Sequence, residues 1–270
     1  MMTFPRLNSA ADCNIAPIPV DRRSSATLEQ RQHSQQRQAK VAVVDPTSPP
    51  PVQVSSKILP WLARLAYAVV GRGLLPLHFK KITITGQEHL PRSGAVILAP
   101  MHRSRWDAVV VPYAAGRFAT GRDVYFMVSS NEIKGLQGWF IRRLGGFPVE
   151  ADKTARLRAL AASIRHSVSL LREEKMMVVF PEGDIYRTGQ LNPLKTGIAH
   201  MALQAAQSYG LEVKIVPIGV AYNQTFPTWG SSLRIQIGEA LSTNNYTHLS
   251  SKQGVQAITN DLTRSLLDLE

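Results

Sequence analysis

Apolar residues along this chain fall into two kinds of stretch that alternate. Gly94–Pro100 (GAVILAP), Val124–Ser130 (VYFMVSS) and Lys175–Pro181 (KMMVVFP) are near-continuous apolar runs of strand length, which predict strands buried on both faces. Lys81–Gly86 (KITITG) alternates with the period of a half-buried strand. Val213–Tyr222 (VKIVPIGVAY) and Ser232–Ala240 (SLRIQIGEA) predict two more strands, and Phe147–Glu150 a short one. Between these lie segments with helical spacing: Trp106–Ala115, Lys134–Leu144, Thr154–Glu174, Thr196–Tyr209 and Ser250–Leu269. In the third, Leu157, Leu160, Ala161, Ile164, Val168 and Leu171 fall on one helical face. Gly210 is placed to end the fourth, and Ser250 or Ser251 to start the last. Strands alternating with helices predict an α/β fold. No internal repeat is visible at any period.

Two segments lie outside that alternation. Residues 1–55 read as a disordered arm, with a polar stretch at 30–38 (QRQHSQQRQ) and a stiff proline-rich linker at 46–53 (PTSPPPVQ). Residues 56–79 contain Trp61, Leu62, Leu65, Ala66, Val69 and Val70 at spacings of three and four, a helix running to about Gly71. Arg64, Arg72, two glycines and two prolines break the segment, so it is too interrupted to span a bilayer. Trp and Tyr beside Arg and Lys suit a helix lying in a headgroup layer; a helix packed on the domain fits the same pattern. The remaining residues, 80–270, are then the main domain.

Composition narrows the classes. The 270 residues carry 31 Lys+Arg against 19 Asp+Glu, a net charge of +12. Residues 1–55 account for only +2 of it, so the folded part itself is basic. That balance points to an anionic partner: nucleic acid, an acidic membrane face, or a phosphorylated or CoA-like substrate. The hydrophobic fraction of 44% excludes a wholly disordered chain, and a single cysteine, Cys13, excludes a disulfide scaffold. Met1–Val20 has no unbroken apolar stretch of secretory type.

Two loops that follow buried strands carry candidate chemistry. In PMHRSRWDAVVVP (100–112), His102 follows one strand and Asp107 opens the next helix. Across a loop-to-helix junction the chain can fold back, so that the carboxylate accepts from imidazole Nδ1–H and leaves Nε2 free as a base. Seven histidines and nine aspartates in this length give roughly 0.2 chance occurrences of such a spacing, so the pair alone also fits a surface histidine and a capping aspartate. In FPEGDIYRTGQLNPLKTG (180–197), Pro181 and Gly183 force a turn that puts Glu182 at the mouth, with Arg187 and Lys195 at the same edge. Such a group suits a polar, partly anionic ligand; a glycine turn with solvated charges fits it equally.

His102-x4-Asp107, then FPEG at 180–183, then VPIG at 216–219 resemble, in order and spacing, the motifs of the glycerolipid acyltransferases, the family of the lysophosphatidate (1-acylglycerol-3-phosphate) acyltransferases. The resemblance covers roughly residues 56–240. It implies a mixed central sheet flanked by helices, of the glycerol-3-phosphate acyltransferase type, with an amphipathic N-terminal membrane-binding element. It implies that His102 is the general base and Asp107 its orienting partner in O-acyl transfer from acyl-CoA or acyl carrier protein to a lysolipid hydroxyl. It implies acceptor binding by Glu182 and Gly183, and donor or acyl-chain contact by Pro217; Arg187 and Lys195 add cations for the acceptor. Ser104 matches a serine of the first motif and is read as structural. No cofactor or metal is expected beyond the acyl-donor substrate.

The chain departs from the family pattern at two arginine positions, occupied here by Ala151 and Ile185. An arginine fork on a phosphate is strong and geometric, so its absence bears on the acceptor. Arg142, Arg143, Arg156 and Arg187 are candidates to compensate. Two acceptor classes therefore stay open: 1-acylglycerol-3-phosphate, or another lysophospholipid or a neutral alcohol. A catalytically silent membrane-binding protein and a basic nucleic-acid-binding protein are the remaining rivals; no nucleic-acid motif supports the latter. The expected location is the cytoplasmic face of an anionic membrane, peripheral or monotopic. Trp106 and Trp139 are read as core packing, and His78, His89, His166, His200 and His248 as structural or surface residues.

Overall fold

The run Ala95–Pro100 offers water no polar side chain on either face, and all six residues are buried in the middle of a sheet. The computed structural model describes residues 54–130, 133–149, 156–187 and 189–270, the side chains of 156–159 excepted. The arm at 1–53 and Ala151 lie outside the described residues. In chain order the elements are α1 (Pro60–Val69), a π-helical turn (Val70–Leu74), α2 (Leu75–His78), β1 (Phe79–Thr85), β2 (Ala95–Pro100), α3 (Asp107–Ala115), α4 (Arg117–Thr120), β3 (Val124–Ser129), α5 (Gly135–Arg143), β4 (Gly146–Val149), α6 (Arg156–Arg172), β5 (Met176–Val178), α7 (Gly197–Tyr209), β6 (Val213–Tyr222), β7 (Ser231–Ile237), β8 (Leu241–Ser242) and α8 (Ser251–Leu267).

The strands form one mixed sheet in the order β1-β7-β6-β2-β5-β3-β4, with β8 beside β6. β6, β2, β5, β3 and β4 run parallel; β7 is antiparallel to β6, and β1 is parallel to β7. Strands β6, β2 and β5 therefore finish at one edge, where the 101–106 and 179–196 loops emerge.

The pleat sorts β2 between two cores. Ala95, Ile97 and Ala99 join a cluster with Val168, Leu171, Met201, Ala202, Ile258 and Leu262. Val96 and Leu98 join the opposite cluster with Val110, Val111, Ala114, Val216 and Ile235. Each fully buried Val, Leu or Ile contributes about 1.5–3 kcal/mol, so both faces hold the central strands in place. α7 ends where Gly210 turns left-handed at φ 65°, and the Ser250 side chain caps the first turn of α8.

The N-terminal segment departs from the expected stop at Gly71. Helical backbone continues through Gly71 and Gly73 as a π turn and re-enters α-helix across Pro76. Pro76 falls in the first turn of α2, where a missing N–H is tolerated. Gly71 packs against the rings of Phe118 and Tyr113, where a side chain would collide. Leu62, Ala63, Leu75 and Phe79 are buried, while Trp61, Leu65, Val69, Leu74 and Leu77 are exposed. The segment thus packs one face on the domain and leaves a second apolar face outside. Among the described residues no helix is long and apolar enough to cross a membrane.

Candidate active site

Chain geometry at the end of β2 fixes the first loop. Met101 N–H donates to the Ile218 carbonyl, which carries the sheet one residue past Pro100 before the chain turns. The turn folds back on Asp107, the first residue of α3, whose side chain is fully buried. Its Oδ2 accepts from His102 Nδ1 at 3.0 Å, from Arg103 N–H at 2.6 Å and from Ser104 N–H at 2.7 Å. Its Oδ1 accepts from the Tyr222 hydroxyl at 2.7 Å. A carboxylate with four donors is held in one orientation. As the acceptor facing Nδ1, it assigns the ring proton to Nδ1 and leaves the Nε2 lone pair free. The His102 ring also stacks on Phe180, centroids 3.8 Å apart and planes 16° from parallel, so both its tilt and its rotation are set. The His102 side chain is 16% exposed, so solvent reaches it.

Tyr222 closes β6, whose last residues hydrogen-bond to β7. Burial first, then the neighbouring charge of Asp107 and the hydrogen bond to it, raise its phenol well above the ordinary tyrosine range. It is therefore a neutral donor at any working pH. Sequence reasoning missed it, although it ends the apolar strand that carries VPIG.

Glu182 is a correction. It does not stand at the mouth of the loop; its side chain is fully buried. Arg103 Nη1 donates to both its oxygens at 2.9 and 3.0 Å, His102 N–H to Oε1 at 3.0 Å, and Asn192 N–H to Oε2 at 3.1 Å. The carboxylate thus ties the 101–106 loop to the 179–196 loop from beneath. A glutamate at a glycine turn looks exposed until its partner is known, and Arg103 lies 79 positions away. Arg103 and Asn192 were likewise not singled out from sequence. Arg103 Nη2 approaches Glu270 at 3.7 Å. Buried ions of this kind persist because each has partners.

Gly183 has φ +73°, and the Lys195 side chain lies directly over it, so glycine is required both by the backbone and by the space. Lys195 N–H donates to the Pro181 carbonyl at 2.8 Å, and Tyr186 N–H to the His102 carbonyl at 2.9 Å, which folds the two loops together. Arg187 is exposed and stands over the Phe226 ring, 4.9 Å from its centroid. Pro217 is buried inside β6 in register with Ala99, below the edge, and its carbonyl accepts from Gly238 N–H. His102, Asp107, Glu182, Gly183 and Lys195 are thus brought together, Arg187 flanks them, and Pro217 lies in the sheet beneath.

Two further expectations change. Arg142 and Arg143 end α5 just before β4, and β4 runs parallel to β3 and the central strands. They therefore sit at the edge opposite His102 and do not replace the missing arginines there. The side chain of Arg156 lies outside the described residues. Trp106 is packed in an aromatic cluster with His78 and Phe79, but Trp139 is 44% exposed rather than in the core.

The sequence model of the acyltransferase family matches residues 81–221, just over half the chain, a span that includes His102, Asp107 and Glu182 and stops one residue short of Tyr222. The chain belongs to the acyltransferase family. The 1-acyl-sn-glycerol-3-phosphate acyltransferase of Bacillus subtilis is 24% identical over 201 residues, 70% of this chain and 88% of that protein. Mitochondrial glycerol-3-phosphate acyltransferase 1 of Sus scrofa is 26% identical over 137 residues, 48% of this chain. The chain spans 16% of the length of that mitochondrial relative. Among solved structures, the 1-acyl-sn-glycerophosphate (LPA) acyltransferase PlsC of Thermotoga maritima shares the fold, with a TM-score of 0.57 at 20% identity over 78% of this chain and 80% of that one.

Proposed function

We propose that this protein is a membrane-associated O-acyltransferase. It moves a fatty acyl group from acyl-CoA or acyl carrier protein to the free hydroxyl of 1-acylglycerol-3-phosphate, giving phosphatidate. The observation that carries the reading is the His102–Asp107 pair at the carboxyl edge of β2, with Nδ1 bound and Nε2 free. In the proposed step Nε2 takes the hydroxyl proton as the acceptor oxygen attacks the thioester carbonyl carbon. The C–S bond then breaks, and the departing thiolate recovers the proton from the imidazolium. No acyl-enzyme forms, so no serine nucleophile is needed; Ser104 instead donates its amide to Asp107 and braces Trp106 N–H through its hydroxyl. Lys195 beside Gly183 and the exposed Arg187 are the cations we assign to the acceptor headgroup. Glu182, fully buried, acts through Arg103 and the His102 amide as a positioning residue. The exposed apolar face of α1 lies against the bilayer at its cytoplasmic side.

A second reading keeps the chemistry and changes the acceptor to another lysophospholipid or a neutral alcohol. It is favoured by the position of Arg142 and Arg143 at the far edge and by Ile185 where the family pattern has arginine.

The test is thiol release from a long-chain acyl-CoA by purified protein, with lysophosphatidate beside other lysophospholipids and diacylglycerol. His102→Ala should lower turnover about 10³-fold, the usual contribution of a positioned general base. Full turnover in that variant would sink the mechanism. Release with a different acceptor, abolished by the substitution, would select the second reading.

A further inference from the structure

The β6–β7 loop, residues 223–230, carries the sequence NQTFPTWG with no charged residue. Several of its polar groups are hydrogen-bonded within the fold. Thr228 N–H donates to Ser231 Oγ at 2.8 Å, Thr228 Oγ1 to Gln224 Oε1 at 2.9 Å, and Ser232 N–H to Asn223 Oδ1 at 2.7 Å. Gly230 N–H donates to the His78 carbonyl at 2.8 Å, which pins the loop to the end of α2. The two aromatic side chains at its tip have no such shelter: Phe226 is 64% exposed and Trp229 70%. A braced loop that leaves its largest apolar groups in water is built to put them somewhere else.

The surroundings say where. The Trp229 ring meets His78, 5.6 Å between centroids, and His78 follows Leu77, which is 64% exposed. The loop therefore continues the apolar face of the N-terminal segment, from Leu74 and Leu77 across His78 to Trp229 and Phe226. The flanking charge is cationic. Phe79 pairs with Ser231 and Lys81 with Ser232, so the exposed Lys80 and Lys81 lie beside the point where the loop enters β7, and Arg187 covers one face of Phe226. Residues 54–87 carry five Lys/Arg and no acid. In the neighbouring 179–196 loop the exposed acid is Asp184, whose carboxylate accepts from the Ile185 amide. Aromatic tips rimmed by cations match the interfacial layer of an anionic bilayer, where Trp and Phe sit at headgroup depth and Lys and Arg meet phosphate.

We propose that the loop Asn223–Gly230 is a second membrane anchor, inserting Phe226 and Trp229 into an anionic bilayer. The inference rests on the membrane association proposed above and adds an orientation to it. On one side the loop touches Arg187, which follows Tyr186, the residue bonded to the His102 carbonyl. On the other it touches His78, which stacks on Trp106, the neighbour of Asp107. Two anchors, α1 and this loop, set the mouth of the site against the headgroups. A lysolipid acceptor then reaches His102 without leaving the bilayer.

The experiment compares full-length wild type with Phe226→Ser/Trp229→Ser in three measurements. The first is flotation with vesicles of phosphatidylcholine and phosphatidylglycerol. Partitioning should fall about thirtyfold in the variant, with an unchanged thermal midpoint because both side chains are exposed. The second is quenching by brominated lipid, where the quenched fluorescence lost in Trp229→Phe should show that this indole lies in the interface. The third is turnover, which should fall with a vesicle-embedded acceptor and stay at the wild-type rate with a short-chain acceptor dissolved below its micelle concentration. Unchanged partitioning in the double variant overturns the proposal. So does an equal fall with both acceptors at unchanged flotation, which would make the loop part of the substrate site. Loop-dependent flotation by a wild-type protein that releases no thiol would support the anchor while removing the acyltransferase reading.

Discussion

Replacing Tyr222 by Phe removes one oxygen and leaves the ring, so the aromatic packing against Phe79 is kept while a single hydrogen bond is lost. That bond is the one made by Asp107 Oδ1; the other three donors all converge on Oδ2. Asp107 is fully buried, so Oδ1 is left without a protein donor inside the fold. Leaving a buried acceptor unsatisfied costs about 1–3 kcal/mol, and a charged one belongs in the upper half of that range. Urea unfolding should therefore show a loss of about 2 kcal/mol, with the m-value unchanged. In the site, a carboxylate released at one oxygen can swing about the other, and the imidazole it orients loses its fixed attack direction. We expect kcat/KM to fall about tenfold, which corresponds to roughly 1.4 kcal/mol. Rates measured well below the unfolding transition separate this from simple destabilisation. A variant that loses stability but keeps its rate would refute the coupling. One that keeps its stability would refute the isolation of Oδ1.

Glu182→Ala removes the hydrogen-bonded partner of the buried Arg103, leaving Glu270 at 3.7 Å, and should destabilise by about 3 kcal/mol, measured by urea unfolding. The milder Glu182→Gln should lower kcat with the acceptor KM little changed; a rise in KM alone would restore direct acceptor contact. Gly183→Ala meets both a positive φ and the Lys195 side chain, and should cost about 1–2 kcal/mol and raise the acceptor KM as Lys195 is displaced. Burial first of all pushes the Tyr67 phenol up from 10.0 to about 12. Its contribution to stability is therefore complete below about pH 10 and lost as pH rises toward about 12, because the unfolded chain ionises first. Tyr67→Phe should flatten that part of an alkaline unfolding series.

The central strands were legible because their residues have one solution. An unbroken run such as Ala95–Pro100 can lie only between two covered faces, and the helices around it announce themselves by a stripe. His102 and FPEG could be read as candidate chemistry because loops at strand ends are where an α/β sheet exposes it, while VPIG, which lies inside β6, was legible only through the resemblance to the acyltransferase motifs. Glu182, Tyr222 and Arg103 could not be read, because what each does depends on partners 79 to 115 positions away that share an edge only after the sheet has formed. Arg142 and Arg143 were plausible substitutes in one dimension and were excluded by strand direction alone. Residues 60–78 gave an amphipathic pattern that fitted packing or a lipid surface equally, since periodicity reports how many apolar faces a helix has but not what meets them. The fold used one of those faces for Leu62, Ala63 and Leu75 and left Trp61, Leu65 and Val69 outside. Local sequence, then, determined the elements and the reactive residue types, because both follow from periodicity and side-chain chemistry. Tertiary structure decided which of those residues are exposed, which are clamped and which face one another, because hydrogen bonds and burial join positions that the chain itself keeps far apart.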